Sequence, residues 1–245
     1  MASSFEVLYL STSVSAPSVI LFDLNALVLN MQGALHEGVS AAFRTMDFHL
    51  EEDVAARAVG QPYPEAVRTV YCDELGLPEA DEDRMTQLCQ MVEKVVGRFV
   101  QFSSSLFPSP RTANVITGLR RAGHPVGLFS ELDDTTYGLL MQRMGWDANA
   151  LFDEVVTGQH AATKDDILSD LLGRFEFQSG QQRVFVGAQP VDALPAALFG
   201  CDRILIRDAG DAESEELLGE PAFESFHSMT DLADLLRSPS VSSKA

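Results

Sequence analysis

Four apolar runs, Val19-Ile20-Leu21-Phe22, Val126-Gly127-Leu128-Phe129, Val184-Phe185-Val186 and Ile204-Leu205-Ile206, constrain this chain more than any other feature. Each is too short for a helix. Unbroken apolarity means that both faces of the segment are covered, which is the pattern of strands inside a parallel sheet. Helical spacing fills the intervals. Arg111 to Ala122 sets Val115, Ile116, Leu119 and Ala122 on one face and stops at Gly123. Thr135 to Met144 does the same with Tyr137, Leu140, Met141 and Met144 before Gly145, and Val191 to Phe199 with Val191, Leu194, Ala197 and Leu198 before Gly200. Glycine stops a helix because it enters the left-handed region without strain. Strand, helix, glycine, strand is the rhythm of a doubly wound α/β core with a parallel sheet.

One stretch departs from that rhythm. From about Gly33 to Ser105 no short apolar run occurs, and Ala41-Phe43, Val54-Ala58, Ala66-Val70 and Met85-Val100 show helical spacing instead. It reads as a helical insertion, closed by the punctuation Ser103-Ser104-Ser105 and Phe107-Pro108-Ser109-Pro110 of a hinge or linker. The expected organisation is an α/β core over 1–33 and 106–245, a helical unit over 34–105, and a small, polar, disordered tail over 238–245.

Charge narrows the partners. Against 36 acidic residues stand 17 basic ones, a formal charge of −19, and the only lysines are Lys94, Lys164 and Lys244. Nucleic acids and anionic membranes are both bound by Lys and Arg that displace counterions, so neither fits. Cys72, Cys89 and Cys201 are far apart and form no CxxC pair, which argues against a disulfide framework or thiolate metal site and for a reducing cytoplasm. Met1 to Glu6 carry no basic leader, and no apolar run approaches the roughly 20 residues of a membrane helix. The expectation is a soluble cytoplasmic protein, monomer or homodimer.

In an open α/β sheet, ligands bind beyond the carboxyl ends of the strands. The first run is followed by Asp23-Leu24-Asn25, the second by Ser130 with Glu131, Asp133 and Asp134, and the third by Gly187-Ala188-Gln189-Pro190-Val191-Asp192. Lys164 lies in the connection between the second and third. An Asp, an Asn, a Ser, a Lys and an Asp at one sheet edge could bind and attack a small anionic ester. Asp23 and Ser130 could equally do no more than cap the turns that follow them.

The order of these residues resembles the haloacid dehalogenase (HAD) superfamily. Val19-Ile20-Leu21-Phe22-Asp23-Leu24-Asn25-Ala26-Leu27 resembles its first motif, a hydrophobic strand then DxDGT. The insertion follows where the superfamily places its cap, Ser130 sits like the second-motif Ser/Thr, and Lys164 sits like the third-motif lysine. Val186-Gly187-Ala188-Gln189-Pro190-Val191-Asp192 resembles the fourth motif, GDxxxD. The resemblance implies a small-metabolite phosphatase in which Asp23 attacks phosphorus and forms an aspartyl phosphate. Ser130 and Lys164 would then neutralise the transferring group, and Mg²⁺ would be held by Asp23, Asp192 and the backbone carbonyl of Asn25. Two departures bear on activity. Asn25 stands where the acid/base Asp is usual, and losing such a group typically costs about 10²–10⁴-fold. Ala188 stands where a metal carboxylate is usual and offers no oxygen to a hard cation. The usual Gly and Thr are Ala26 and Leu27, and the proline that often follows the lysine is Asp165.

Three readings follow: a weak or atypical hydrolase of a small anionic metabolite, an inactive protein of the same fold that binds a ligand or partner, and a metal-independent relative resembling the 2-haloacid dehalogenases. The last lacks an identifiable halide-binding arginine among Arg44, Arg57, Arg68 and Arg84. A phosphonate-cleaving relative would need a lysine early in the cap, where Gln61-Pro62-Tyr63-Pro64 offers none. His36, His49, His124, His160 and His227 show no metal-binding spacing, so surface or capping roles are expected. Trp146 is expected to anchor packing, Tyr63, Phe43 and Phe48 to pack the cap although they could also face the active site, and Glu79 to Asp83 to form a solvated loop. No GxxxxGK[ST], GxGxxG or GxSxG occurs, so P-loop, dinucleotide and serine-hydrolase chemistry lack their fingerprints.

Overall fold

The computed structural model describes residues 17–77, 82–208 and 223–237. The tail expected over 238–245, the N-terminal Met1 to Glu6 and the start of the acidic run at Glu79 lie outside the described residues. All four apolar runs are strands: β1 (Val19–Asp23), β4 (Val126–Phe129), β6 (Arg183–Gly187) and β7 (Arg203–Arg207). With β5 (Glu154–Val156) and β8 (Glu224–Phe226) they build a six-stranded sheet in the order β5-β4-β1-β6-β7-β8, with every pairing parallel. Strand β1 lies between β4 and β6, where the strand order reverses, so its carboxyl end opens at the crevice of the sheet.

Both faces are covered. Ile20, Phe22, Val126, Leu128 and Val184 belong to one apolar cluster, with α6 (Thr112–Arg121), α7 (Asp134–Met144) and α11 (Met229–Arg237). Val19, Leu21, Phe129, Phe185 and Ile204 belong to the other, with α9 (Lys164–Gly173) and α10 (Ala193–Leu198). The three expected stop glycines carry left-handed φ values of 90° at Gly123, 67° at Gly145 and 77° at Gly200.

The helical insertion comprises α2 (Met31–Arg44), α3 (Glu52–Ala58), α4 (Tyr63–Arg68), a π-helical turn over Thr69–Glu74, and α5 (Glu82–Phe102). Helix α2 packs along α5. Phe43, Phe48 and Tyr71 stack edge to face within the insertion, with ring centroids 6.5 Å and 6.1 Å apart. Trp146 packs against the first cluster. Among the described residues no helix is long and apolar enough to cross a membrane.

Three local expectations need correction. Phe107-Pro108 is not only linker: it forms β3 and pairs antiparallel with β2 (Val28–Leu29), a ribbon at both ends of the insertion. Lys164 lies in the connection between β4 and β6, as expected, at the first turn of α9, which Thr163 opens with a reciprocal capping box to Asp166. Ala122, placed on the inner face of α6, is exposed. Most instructive is the stretch expected as one helix from Val191 to Phe199, which forms a 3₁₀ turn and then α10: of its expected inner face Ala197 packs against the second cluster, but Val191, Leu194 and Leu198 point outward, with Leu198 76% exposed, while Ala193 and Ala196 are buried. On so short a helix the alanines let the backbone approach β7, and a larger side chain could not.

Candidate active site

Asp23 ends β1 with no exposed surface. Its carboxylate accepts the backbone N–H of Asn25 at 2.9 Å, capping α1 (Leu24–Leu27). Its second oxygen accepts Lys164 Nζ at 2.9 Å, and the same ammonium donates to Asp192 Oδ1 at 2.8 Å. Lys164 thus bridges two carboxylates, above the Phe129 ring. Asp192 closes a 3₁₀ turn (Pro190–Asp192), and its other oxygen accepts the backbone N–H groups of Ala188 and Gln189 at 3.2 and 2.9 Å. Ser130 is fully buried at the end of β4, but its hydroxyl accepts the backbone N–H of Leu132. Asp23 and Ser130 therefore both cap turns as well as reach the same sheet edge.

Asn25 carries the least expected contact. Its amide donates to Glu131 Oε1 at 2.7 Å, across 106 residues of sequence. Glu131 is 2% exposed, and its backbone carbonyl is packed so closely against Gly158 that any Cβ there would lie 2.2 Å from the oxygen. Asp133 caps α7 through Thr136 at 2.9 Å. The insertion reaches the same place, where buried Tyr63 faces Asp133, and Glu65 Oε2 accepts the backbone N–H of Lys164 at 3.3 Å. Four buried oxygens here have no hydrogen-bond partner: Asn25 Oδ1, Glu131 Oε2, Asp133 Oδ2 and the Tyr63 hydroxyl. Glu131 and Asp133 were visible as acids following Ser130, yet nothing in their spacing gave them a role. Tyr63 was expected to pack the insertion, with a place facing the site as the alternative.

The electrostatics follow from crowding. Burial, reinforced by the charges of Asp192 and Glu131 and opposed by Lys164, raises the Asp23 carboxyl to about 7. Burial alone would lower Lys164, but Asp192 and Asp23 outweigh it and hold the ammonium above the usual lysine range. Tyr63 is pushed well above the ordinary phenol value by burial and then by Asp133, and Glu93 of α5 is raised by burial and by the same carboxylate.

The magnesium set implied by the resemblance does not fit these residues. Asp192 spends one oxygen on two backbone donors and the other on Lys164, Ala188 has no oxygen, and a dication beside Asp23 and Asp192 would sit against the bridging ammonium. The side chain of Asn25 is turned to Glu131. Among the described residues no group of three or more His, Cys, Asp or Glu is arranged to hold a metal ion. Beside the site, a recess of about 380 Å³ is lined by Asn25, Ala188, Met31 and Arg207 among others. Arg207 donates to Ala26 O and Ser109 Oγ, tying the two ends of the insertion to β7.

No family model matches the sequence, and no curated protein matches it. The fold has clear counterparts among solved structures. A hydrolase from Pseudomonas syringae superposes with a TM-score of 0.72 at 14% identity, covering 89% of this chain and 97% of that one. A protein from Bacteroides fragilis described as a haloacid dehalogenase-like hydrolase gives 0.68 at 16% identity, over 89% and 99% of the two chains. CbbY from Rhodobacter sphaeroides, solved with phosphate, gives 0.68 at 16% identity, over 88% and 96%. The chain has the haloacid dehalogenase-like fold: a parallel α/β sheet with a helical insertion after its first strand.

Proposed function

We propose that this protein is an atypical, metal-independent hydrolase that acts slowly on a small anionic ester, with Asp23 as nucleophile. The observation that carries the reading is the bridge Asp23–Lys164–Asp192 at the carboxyl end of β1. It puts a permanent cation against the nucleophile where a metal would otherwise balance charge. Asp23 attacks phosphorus, Lys164 neutralises the anionic group, and Ser130 fixes the turn that faces it. The helical insertion serves as the cap that selects the substrate. Its Glu65 and Tyr63 meet the core at Lys164 and Asp133. The unpaired cysteines suit a reducing cytoplasm.

The test is hydrolysis of p-nitrophenyl phosphate in buffer containing a chelator. Turnover that persists with the chelator and vanishes in Asp23→Asn supports the proposal. Turnover that stops on chelation, or survives in Asp23→Asn, overturns it. A second reading, ligand binding without catalysis, is favoured by one observation: Asp23 is wholly buried with both oxygens engaged. Phosphate binding measured by calorimetry in a protein without turnover would decide for it.

A further inference from the structure

Hydrolysis of an ester needs a proton for the departing oxygen and a base for the water that follows, and the amide of Asn25 supplies neither. We infer that Glu131 is the general acid and base of this site, displaced from position 25 by one hydrogen bond. The inference rests on the hydrolase reading above. Glu131 Oε1 is 2.7 Å from Asn25 Nδ2, so the carboxyl lies directly against the side chain that follows the nucleophile by two residues. Its other oxygen, Oε2, is buried without a partner. A carboxyl retained only to hold Asn25 would use one oxygen; the second is left for a proton, a water or a leaving group. The backbone of Glu131 is fixed by its contact with Gly158, and its Oε1 by Asn25, which is the rigidity a proton-transfer group requires.

The steps balance. An oxygen of Asp23 bonds to phosphorus as the bond to the ester oxygen breaks, and the Glu131 proton passes to that oxygen, releasing an alcohol and leaving an aspartyl phosphate. Water then attacks phosphorus, giving its proton to the Glu131 carboxylate, and the bond to Asp23 breaks to release phosphate. Both protein groups return to their starting states.

Phenyl phosphate and p-nitrophenyl phosphate separate this role from a structural one, because phenolate leaves poorly without a proton and p-nitrophenolate leaves well. Glu131→Gln keeps the size and is expected to lower kcat/KM for phenyl phosphate by about 100-fold or more, and for p-nitrophenyl phosphate by much less. The exchanged variant Asn25→Asp with Glu131→Gln retains a hydrogen bond between the two positions, with donor and acceptor reversed, and is expected to recover activity. Equal activity of Glu131→Gln and wild type overturns the inference and leaves the hydrolase reading standing. Loss in Glu131→Gln without recovery in the exchanged variant, when both melt like wild type, also overturns it. A wild type silent toward both esters overturns the reading and the inference together.

Discussion

The two halves of the site are satisfied to different degrees. Around Asp23, Lys164 and Asp192 every carboxylate oxygen has a partner, and the ammonium bridges both acids. Around Asn25, Glu131, Asp133 and Tyr63, each side chain keeps one buried polar atom without a partner. Buried polar groups are normally paired, because leaving one unpaired in a low-dielectric interior is costly. The paired half is therefore a stable electrostatic unit, while the unpaired half, shared between core and insertion, is where water or substrate must be accommodated.

Lys164→Met tests the paired half most severely. It leaves Asp23 and Asp192 buried without their cation, and removing one partner of a buried ion pair costs about 3–5 kcal/mol. Urea unfolding at neutral pH measures it, and a loss below about 1 kcal/mol would show that the bridge is not a stabilising unit. A smaller effect is expected from pH. The folded-state carboxyl of Asp23 stands near 7, above its unfolded value, so folding favours the protonated form. Its contribution is fully present below about pH 4 and is lost as pH rises through 7, amounting to a few kcal/mol. Glu65 and Glu93 shift in the same direction. Stability should fall between pH 4 and 7, and Asp23→Asn should flatten that slope; an unchanged slope in the variant would place the retained proton elsewhere. The smallest effect belongs to the unpaired half. Tyr63→Phe removes a buried hydroxyl that has no partner and with it that group's desolvation cost, so it should leave stability unchanged or raise it by up to about 1 kcal/mol. A loss above 1 kcal/mol would mean that the hydroxyl is paired and that the contrast between the halves is smaller than it looks.

The core strands were legible because β1, β4, β6 and β7 are covered on both faces and so are apolar without interruption. The edge strands were not. β5 reads Glu154-Val155-Val156 and β8 reads Glu224-Ser225-Phe226, each three residues long and only partly buried, so neither carries an apolar run. Helix α10 misled for a related reason: on six residues, helical periodicity supports either face, and only packing against β7 selected the alanines.

The sequence by itself determined the order of elements, the helical insertion after the first strand, and the arrival of Asp23, Asn25, Ser130, Lys164 and Asp192 at one edge of the sheet, because strand ends and their following residues are set by local patterning. Only the tertiary structure decided how these groups engage one another. Lys164 meets Asp23 across 141 residues and Asn25 meets Glu131 across 106, and pairings at that separation leave no local signal. They arise when burial removes water from charged and amide groups together, so that each must take its partner from whatever the fold has brought alongside.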